Sequence, residues 1–209
     1  MTNQTVTPSI YVSVLADYNS GYLHGAWIDA TLSVDEIWQH INQLYITSKF
    51  PNITATLCNE CGHINLYEHD KCSSCDSTNI KIAPSAEEYA IHDYEGFGPF
   101  TVSEYSSIEE IVDIASLLSN IGDDEDLAKL TFLQGIYVDI ATISAKIVDV
   151  NLYHGSKSDY AEELVSDICD VPTLLTHYID YEKFGRDLEL NGELVEVEHD
   201  VYVTNAQGL

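Results

Sequence analysis

Apolar and polar positions alternate from Ser9 to Ala16 (SIYVSVLA), the period of a half-buried strand. Gly25 to Ala30 reads as its partner after the turn-forming Asn19-Ser20-Gly21. The period then lengthens. Ile37, Ile41, Leu44 and Tyr45 recur at helical spacing behind Ser33 and Glu36, a capping-box pair that satisfies the first turn from both sides. Ile53 to Leu57, Ile80 to Ala83 and Tyr89 to His92 read as short strands, so the first part is predicted to be a small α+β unit.

Ser107 with Glu110 forms a second capping box and turns Ile108, Ile111, Val112, Ala115 and Leu118 inward. Helices are predicted from about Asp124 to Phe132 and from Tyr137 to Val148. After the His154-Gly155 turn, Ser156 or Ser158 caps a helix to about Ile168. Its inward face is Tyr160, Ala161, Leu164, Val165 and Ile168. Val171-Pro172 begins another helix, Asp180 caps one to Leu188, and Glu193 to Glu198 with Val201 to Thr204 closes the chain as a hairpin turned near His199-Asp200. The expected class is α+β: an elongated multi-domain chain of small antiparallel sheets, with helices at both ends and a helical middle. The expected domains are 1–92, carrying an insertion at 58–83, an acidic helical segment 93–133, and an acidic α+β segment 134–209.

Charge changes this picture more than any motif. The chain holds 35 acidic residues against eight basic ones, a net −27 over 209 residues, where roughly 2–8 suffices to keep a small domain soluble. Acid-rich chains are often disordered, but those are poor in aromatic and branched apolar residues. Here 45% of residues are hydrophobic, with 14 Tyr and 5 Phe. The chain therefore folds and carries an anionic coat. The few cations, Lys49, Lys71, Lys81, Lys129, Lys146, Lys157, Lys183 and Arg186, form no patch in sequence. That argues against direct nucleic-acid binding, which depends on Lys and Arg displacing counterions from phosphates. A strongly basic partner is the natural complement. No apolar run approaches the ~20 residues of a membrane span, and Met1 to Pro8 is polar and uncharged, unlike a signal peptide. The chain is expected to be soluble and cytoplasmic, with no membrane partner.

Four of the five cysteines lie in two pairs, Cys58-Asn-Glu-Cys61 and Cys72-Ser-Ser-Cys75, ten residues apart. Each CxxC can wrap two thiolates round one ion, and together they make a closed tetrahedral site of the zinc-ribbon kind, structural because no coordination position stays open. Gly62, after the second ligand, suits the tight turn. A redox pair or reduced thiols is the alternative. His63 and His69 are near enough to compete as ligands, but four cysteines make them unnecessary. Cys169 reads as a buried core thiol.

The acids are patterned as well as numerous. Asp159, Glu163 and Asp167 fall at i, i+4 and i+8 of one helix, with Glu162 beside them. Their repeat is about 6 Å along the axis, comparable with the phosphate spacing of a nucleic-acid strand. Glu109 and Asp113, with Glu110, repeat the arrangement on the middle helix. Asp123, Asp124, Glu125 and Asp126 cluster at a helix start, where acids also favour the helix dipole. Asp170, Asp187 and Glu189 extend the series. A net −27 matches the charge of about 46 Å of duplex at one charge per ~1.7 Å. A salt-adapted, solvated surface accounts equally well for the composition alone. No GxSxG, P-loop, HExxH or dinucleotide fingerprint is present, and the eight His are scattered, so the expected role is non-enzymatic. A near-repeat, Asp93-Tyr94-Glu95-Gly96-Phe97-Gly98 and Asp180-Tyr181-Glu182-Lys183-Phe184-Gly185, has unmatched flanks and reads as coincidence or similar local packing.

Three separated segments resemble, in order, stretches of the ArdA family of antirestriction proteins: IYVSVLADYNSGYLHGAWIDA (Ile10 to Ala30), EEYAIHDYEGFG (Glu87 to Gly98) and VPTLLTHYIDYEKFGRDLEL (Val171 to Leu190). The last is similar to the family's antirestriction motif. The resemblance implies a curved three-domain protein that pairs as a symmetric homodimer. Its acidic surface would imitate bent B-form DNA and occupy the DNA-binding groove of type I restriction-modification enzymes, contacting the specificity and methyltransferase core. It also implies carriage on plasmids, transposons or phages, protecting incoming DNA from cleavage, and makes Tyr178, Tyr181 and Phe184 candidate dimer-contact or core residues. The four-cysteine segment departs from the family pattern. It leaves a second expectation, a zinc-ribbon adaptor that binds a basic protein.

Overall fold

Strand β1 (Ser9–Val14) ends two residues sooner than its alternation predicts, because Leu15–Asn19 closes into a short helix, α1. The structure is a computed structural model in which residues 6–209 are described; the first five residues of the polar start lie outside them. Strand β2 (Gly25–Asp29) pairs antiparallel with β1, and the other side of β1 is taken by β6 (Tyr89–Glu95), giving the order β2-β1-β6. Helix α2 (Val34–Ile46) starts at the predicted capping box, with Ser33 accepting from the Glu36 N–H and Glu36 reaching back to the Ser33 N–H. Its Ile37, Ile41, Leu44 and Tyr45 are buried over Ile10, Val12, Val14 and Ile28 of the sheet. Each such side chain contributes about 1.5–3 kcal/mol on leaving water. Helix α3 (Ile108–Ser119) packs on α2 with Ile108, Ile111, Ile114 and Ala115 inward.

Between α2 and β6 the chain builds a second sheet, β4-β3-β5, from β3 (Ile53–Cys58), β4 (Ile64–Leu66) and β5 (Ile80–Ser85). Sequence periodicity missed β4, whose three residues are too short to alternate visibly. Cys58 ends β3 and Cys61 lies in the turn to β4, while Cys72 and Cys75 lie in the loop between β4 and β5.

Helix α4 (Asp124–Gln134) is capped by Asp123, and α5 (Ile140–Lys146), shorter than its predicted span, is capped by Asp139 and runs into a 3-10 turn at Ile147–Asp149. The third sheet, β7-β9-β8, combines β7 (Leu152–His154), β8 (Val195–Glu198) and β9 (Val201–Val203). The last two are the expected hairpin, and Asp200 takes a positive φ of 58° in its turn. Helices α6 (Lys157–Ile168), α7 (Thr173–Thr176) and α8 (Tyr181–Leu190) complete the chain; Ser156 rather than Ser158 caps α6, and Asp180 caps α8. Ala161, Leu188, Leu194 and Tyr202 form a core against which Tyr153, Tyr160, Leu164, Tyr181 and Phe184 pack. Helices α6 and α8 cross so closely that a Cβ at Gly185 would sit 2.4 Å from the Lys157 carbonyl oxygen.

The class is α+β, with three small antiparallel sheets. The chain divides into two compact units, one ending at Ser119 and the other Asn120–Leu209. That division falls inside the segment 93–133 that charge and helicity group together. No helix among the described residues is long and apolar enough to cross a membrane.

Candidate functional site

Asp17 is the one carboxylate that is buried. Glu87, Asp126 and Glu189 are half-buried, and every other acid is exposed. The coat covers both units: the first carries 16 acids against three Lys, the second 19 against five cations. Little of it is neutralised internally. Among the described residues the lysine–carboxylate pairs are Lys71 with Asp76, Lys129 with Glu125 (3.5 Å) and Asp126 (3.6 Å), and Lys157 with Glu189 (2.7 Å). These pairs engage only four of the 35 acids and leave the field almost intact.

The structure places most of the sequence-predicted acids on helices. Glu109, Glu110 and Asp113 are exposed on α3. Asp123 caps α4 by accepting the Asp126 N–H at 3.0 Å, and Asp124, Glu125 and Asp126 occupy its first turn, so part of this cluster also serves the helix. On α6, Asp159, Glu162, Glu163 and Asp167 are exposed; Glu163 accepts from the Tyr153 hydroxyl at 3.2 Å and Asp159 from Ser156 Oγ at 2.7 Å. Asp170 and Asp187 are exposed, and Glu189 is tied to Lys157. Of the three aromatic candidates, Tyr181 and Phe184 pack on the core of the second unit, while Tyr178 is 83% exposed next to Leu174 and Leu175. Cys169 is exposed rather than buried, because α6 ends at Ile168 and Cys169 continues in extended conformation. Ile168, predicted inward, is also exposed, at the last residue of α6.

The four-cysteine centre is built from two matching turns. In the first, the Gly62 N–H donates to the Cys58 carbonyl (3.1 Å) and the Cys58 N–H to the His63 carbonyl (2.9 Å); in the second, the Asp76 N–H donates to the Cys72 carbonyl (3.0 Å) and the Cys72 N–H to the Ser77 carbonyl (2.9 Å). The four sulfurs lie within 4.8 Å of one another, with Cys58–Cys75 and Cys61–Cys72 both at 3.6 Å. A disulfide needs about 2.05 Å, whereas thiolates about 2.3 Å from a central ion stand roughly 3.8 Å apart. The donor set and spacing thus fit one tetrahedral ion. The Cys61 backbone N–H, aided by that of Glu60 and opposed by burial, brings the Cys58 thiol down to about 6. The Ser77 N–H favours the Cys75 thiolate, but the Cys61 and Cys58 sulfurs push that thiol up to about 12. Four thiolates held this close would need a cation to offset their mutual repulsion. Buried Asn65 supports the second turn, accepting from the Ser73 N–H (3.1 Å) while its amide donates to the Thr56 carbonyl (3.5 Å). His63 meets Ser73 Oγ (3.1 Å) and His69 the Leu66 carbonyl (3.0 Å), and neither belongs to the sulfur cluster. An open cleft of about 940 Å³ separates α2 from this centre, lined by Trp38, Asn42, Tyr45, Leu57 and His63.

Sequence reasoning missed Asp17. Its carboxylate accepts from His24 Nδ1 (2.5 Å), Ser48 Oγ (2.8 Å), the Phe50 N–H (2.8 Å) and the Lys49 N–H (3.3 Å), tying α1 to the loop after α2. Burial pushes its pKa up, but Ser48, His24, Phe50 and Lys49 outweigh that and hold it below the usual carboxylate range. No local signal separates this acid from the others, since its partners come from elsewhere in the chain.

No curated protein is significantly similar to the chain. The profile described as Antirestriction protein (ArdA) matches residues 10–203, from β1 to β9 and through the four-cysteine segment. By that match the chain belongs to the ArdA family of antirestriction proteins.

Proposed function

We propose that the chain blocks restriction by standing in for DNA: as a homodimer it occupies the DNA-binding groove of a type I restriction-modification enzyme, contacting neither nucleic acid nor membrane and catalysing no reaction. The observation that carries this reading is the carboxylate coat, exposed on both units and hardly paired. Lys and Arg that normally meet phosphates would meet Glu109, Glu110, Asp113, Asp123–Asp126, Asp159, Glu162, Glu163, Asp167, Asp170, Asp187 and Glu189 instead. Binding is then a sum of many weak, screened contacts, and association is steered by the long-range field. The setting is the cytoplasm, where enzyme and incoming DNA meet.

Exposed Leu174, Leu175 and Tyr178 supply apolar surface for the dimer contact, next to Tyr181 and Phe184. Cys58, Cys61, Cys72 and Cys75 hold one structural zinc ion; when bound, it neutralises the thiolates and fixes the two turns. The cleft beside this centre favours the second reading, an adaptor that takes a basic protein there.

Competition separates the two. The protein is titrated against a type I enzyme bound to labelled target DNA, with its mass in solution measured by sedimentation. Displacement by near-stoichiometric dimer, with no shift of free DNA, supports the groove-occupying reading. No displacement at large excess overturns it. A Cys58→Ser, Cys61→Ser pair would abolish an adaptor's binding, but leaves displacement intact at a temperature where the variant stays folded.

A further inference from the structure

The face of the first sheet opposite α2 carries chemistry that the coat does not explain. Register places Trp27, Tyr11 and Asp93 in one row across β2-β1-β6, and Asp29, Ser9 and Glu95 in the next. Trp27 is 49% exposed, and its ring lies 5.6 Å from that of Tyr11 at 58°. Gly25 makes this possible, since a Cβ there would come within 2.9 Å of Tyr11 Cζ. Tyr18, also 49% exposed, stacks on His92 at 4.4 Å beside Asp93. The three strands contain no Lys or Arg.

The three carboxylates are held ready. Asp29 Oδ1 accepts from the Thr31 N–H (2.8 Å), Asp93 Oδ1 from the Tyr94 N–H (2.8 Å), and Glu95 Oε1 from Ser9 Oγ (3.1 Å). The second oxygen of each makes no protein hydrogen bond among the described residues. Two further polar atoms of this sheet, Ser13 Oγ and His92 Nε2, are buried without a partner among the described residues, a reserve that buried polar atoms seldom keep. Asp29 and Glu95 flank Ser9 at two strand spacings, about 10 Å, the reach of three extended residues.

We propose that this face docks an extended, arginine-bearing segment of a partner protein. Guanidinium groups stack on Trp27 and Tyr11 and pair with the free oxygens of Asp29, Asp93 and Glu95. The planar fork of arginine satisfies ring and carboxylate together, which the ammonium of lysine does not. Pre-orientation of the acids lowers the cost of binding. The inference goes beyond the groove-occupying reading and does not depend on it: carboxylates elsewhere on the coat attract Lys and Arg alike.

That difference is the test. Two labelled peptides of equal length and charge, alternating Arg-Gly and alternating Lys-Gly, are titrated with the full-length protein by fluorescence anisotropy at about 0.15 M salt, where diffuse attraction is screened beyond ~8 Å. The arginine peptide is expected to bind about fivefold tighter. Trp27→Leu, which keeps an apolar cover and the charge, should bring the ratio to about one, and Trp27→Phe should restore part of it. Asp29→Asn with Glu95→Gln should weaken both peptides on a chain whose circular dichroism is unchanged. Equal affinity of the two peptides for the unaltered protein, or a ratio indifferent to Trp27→Leu, overturns the proposal.

Discussion

Gly62 and Asp76 occupy the same position in two copies of one turn, each directly after the second cysteine of its pair, with φ of 73° and 58°. Each donates its N–H to the carbonyl of the first cysteine. Glycine adopts this conformation freely and aspartate tolerates it. A Cβ on Gly62 meets nothing within 4 Å, so Gly62→Ala should cost only the strain of the left-handed backbone, about 1–2 kcal/mol. Thermal unfolding of the metal-loaded protein measures it.

One zinc ion per chain is expected by elemental analysis, and Cys61→Ser should reduce this sharply. Cobalt substitution should give the charge-transfer bands of a tetrahedral all-thiolate site. Chelation should lower the melting temperature of the first unit and leave the transition of Asn120–Leu209 in place, since all four ligands belong to one compact unit. An ion-free protein with undiminished stability would contradict the assignment.

Asp17 ties α1 to the loop after α2 as a carboxylate held below its ordinary pKa. Its stabilisation is complete above the unfolded value of about 3.9 and fades as pH falls through the lower native one. Asp17→Asn presents an amide to groups that all donate, and should cost about 2 kcal/mol at neutral pH. The cost should shrink as pH falls below the unfolded value towards the lower native one, where the native carboxylate itself takes up a proton. Urea unfolding of both proteins across pH 3–7 checks this.

Gly185→Ala should be among the most destabilising single changes in the second unit. The added carbon would lie 2.4 Å from a backbone oxygen, so α6 and α8 must separate. Overpacking of this kind costs typically 1–3 kcal/mol. The neighbouring Arg186→Ala, at an exposed position, should change stability by less than about 0.5 kcal/mol. Urea midpoints of the two variants give the comparison.

Distributed charge makes single neutralisations nearly silent. Glu163→Gln should leave displacement of DNA from the restriction enzyme almost unchanged, while neutralising about ten acids together should reduce it clearly. The multiple variant should fold at least as well, because removing like charges relieves self-repulsion. Loss of inhibition on one substitution would instead point to a specific contact.

Much of the chain was legible because the deciding interactions span three or four residues. Ser33, Ser156 and Asp180 cap the helices predicted from them, and the CxxC spacing gave the sulfur cluster. Periodicity could not supply β4, which is too short, or the end of β1, where α1 is held by partners about thirty residues away.

Sequence by itself determined the class of elements, the four-sulfur donor set and the anionic character, all of which follow from residue identity and short-range geometry. Tertiary structure alone decided which strands pair. Strand β6 joins β1 across the whole four-cysteine insertion because the apolar faces of Ile10, Val12 and Ile91 bury together. It also decided the fate of the near-repeat. Asp93–Gly98 ends a strand and turns through Gly96, where a Cβ would strike the Val6 carbonyl at 2.6 Å, while Asp180–Gly185 opens a helix that must pass against Lys157. Local preference is compatible with both outcomes; the energy that chooses comes from neighbours distant in the chain.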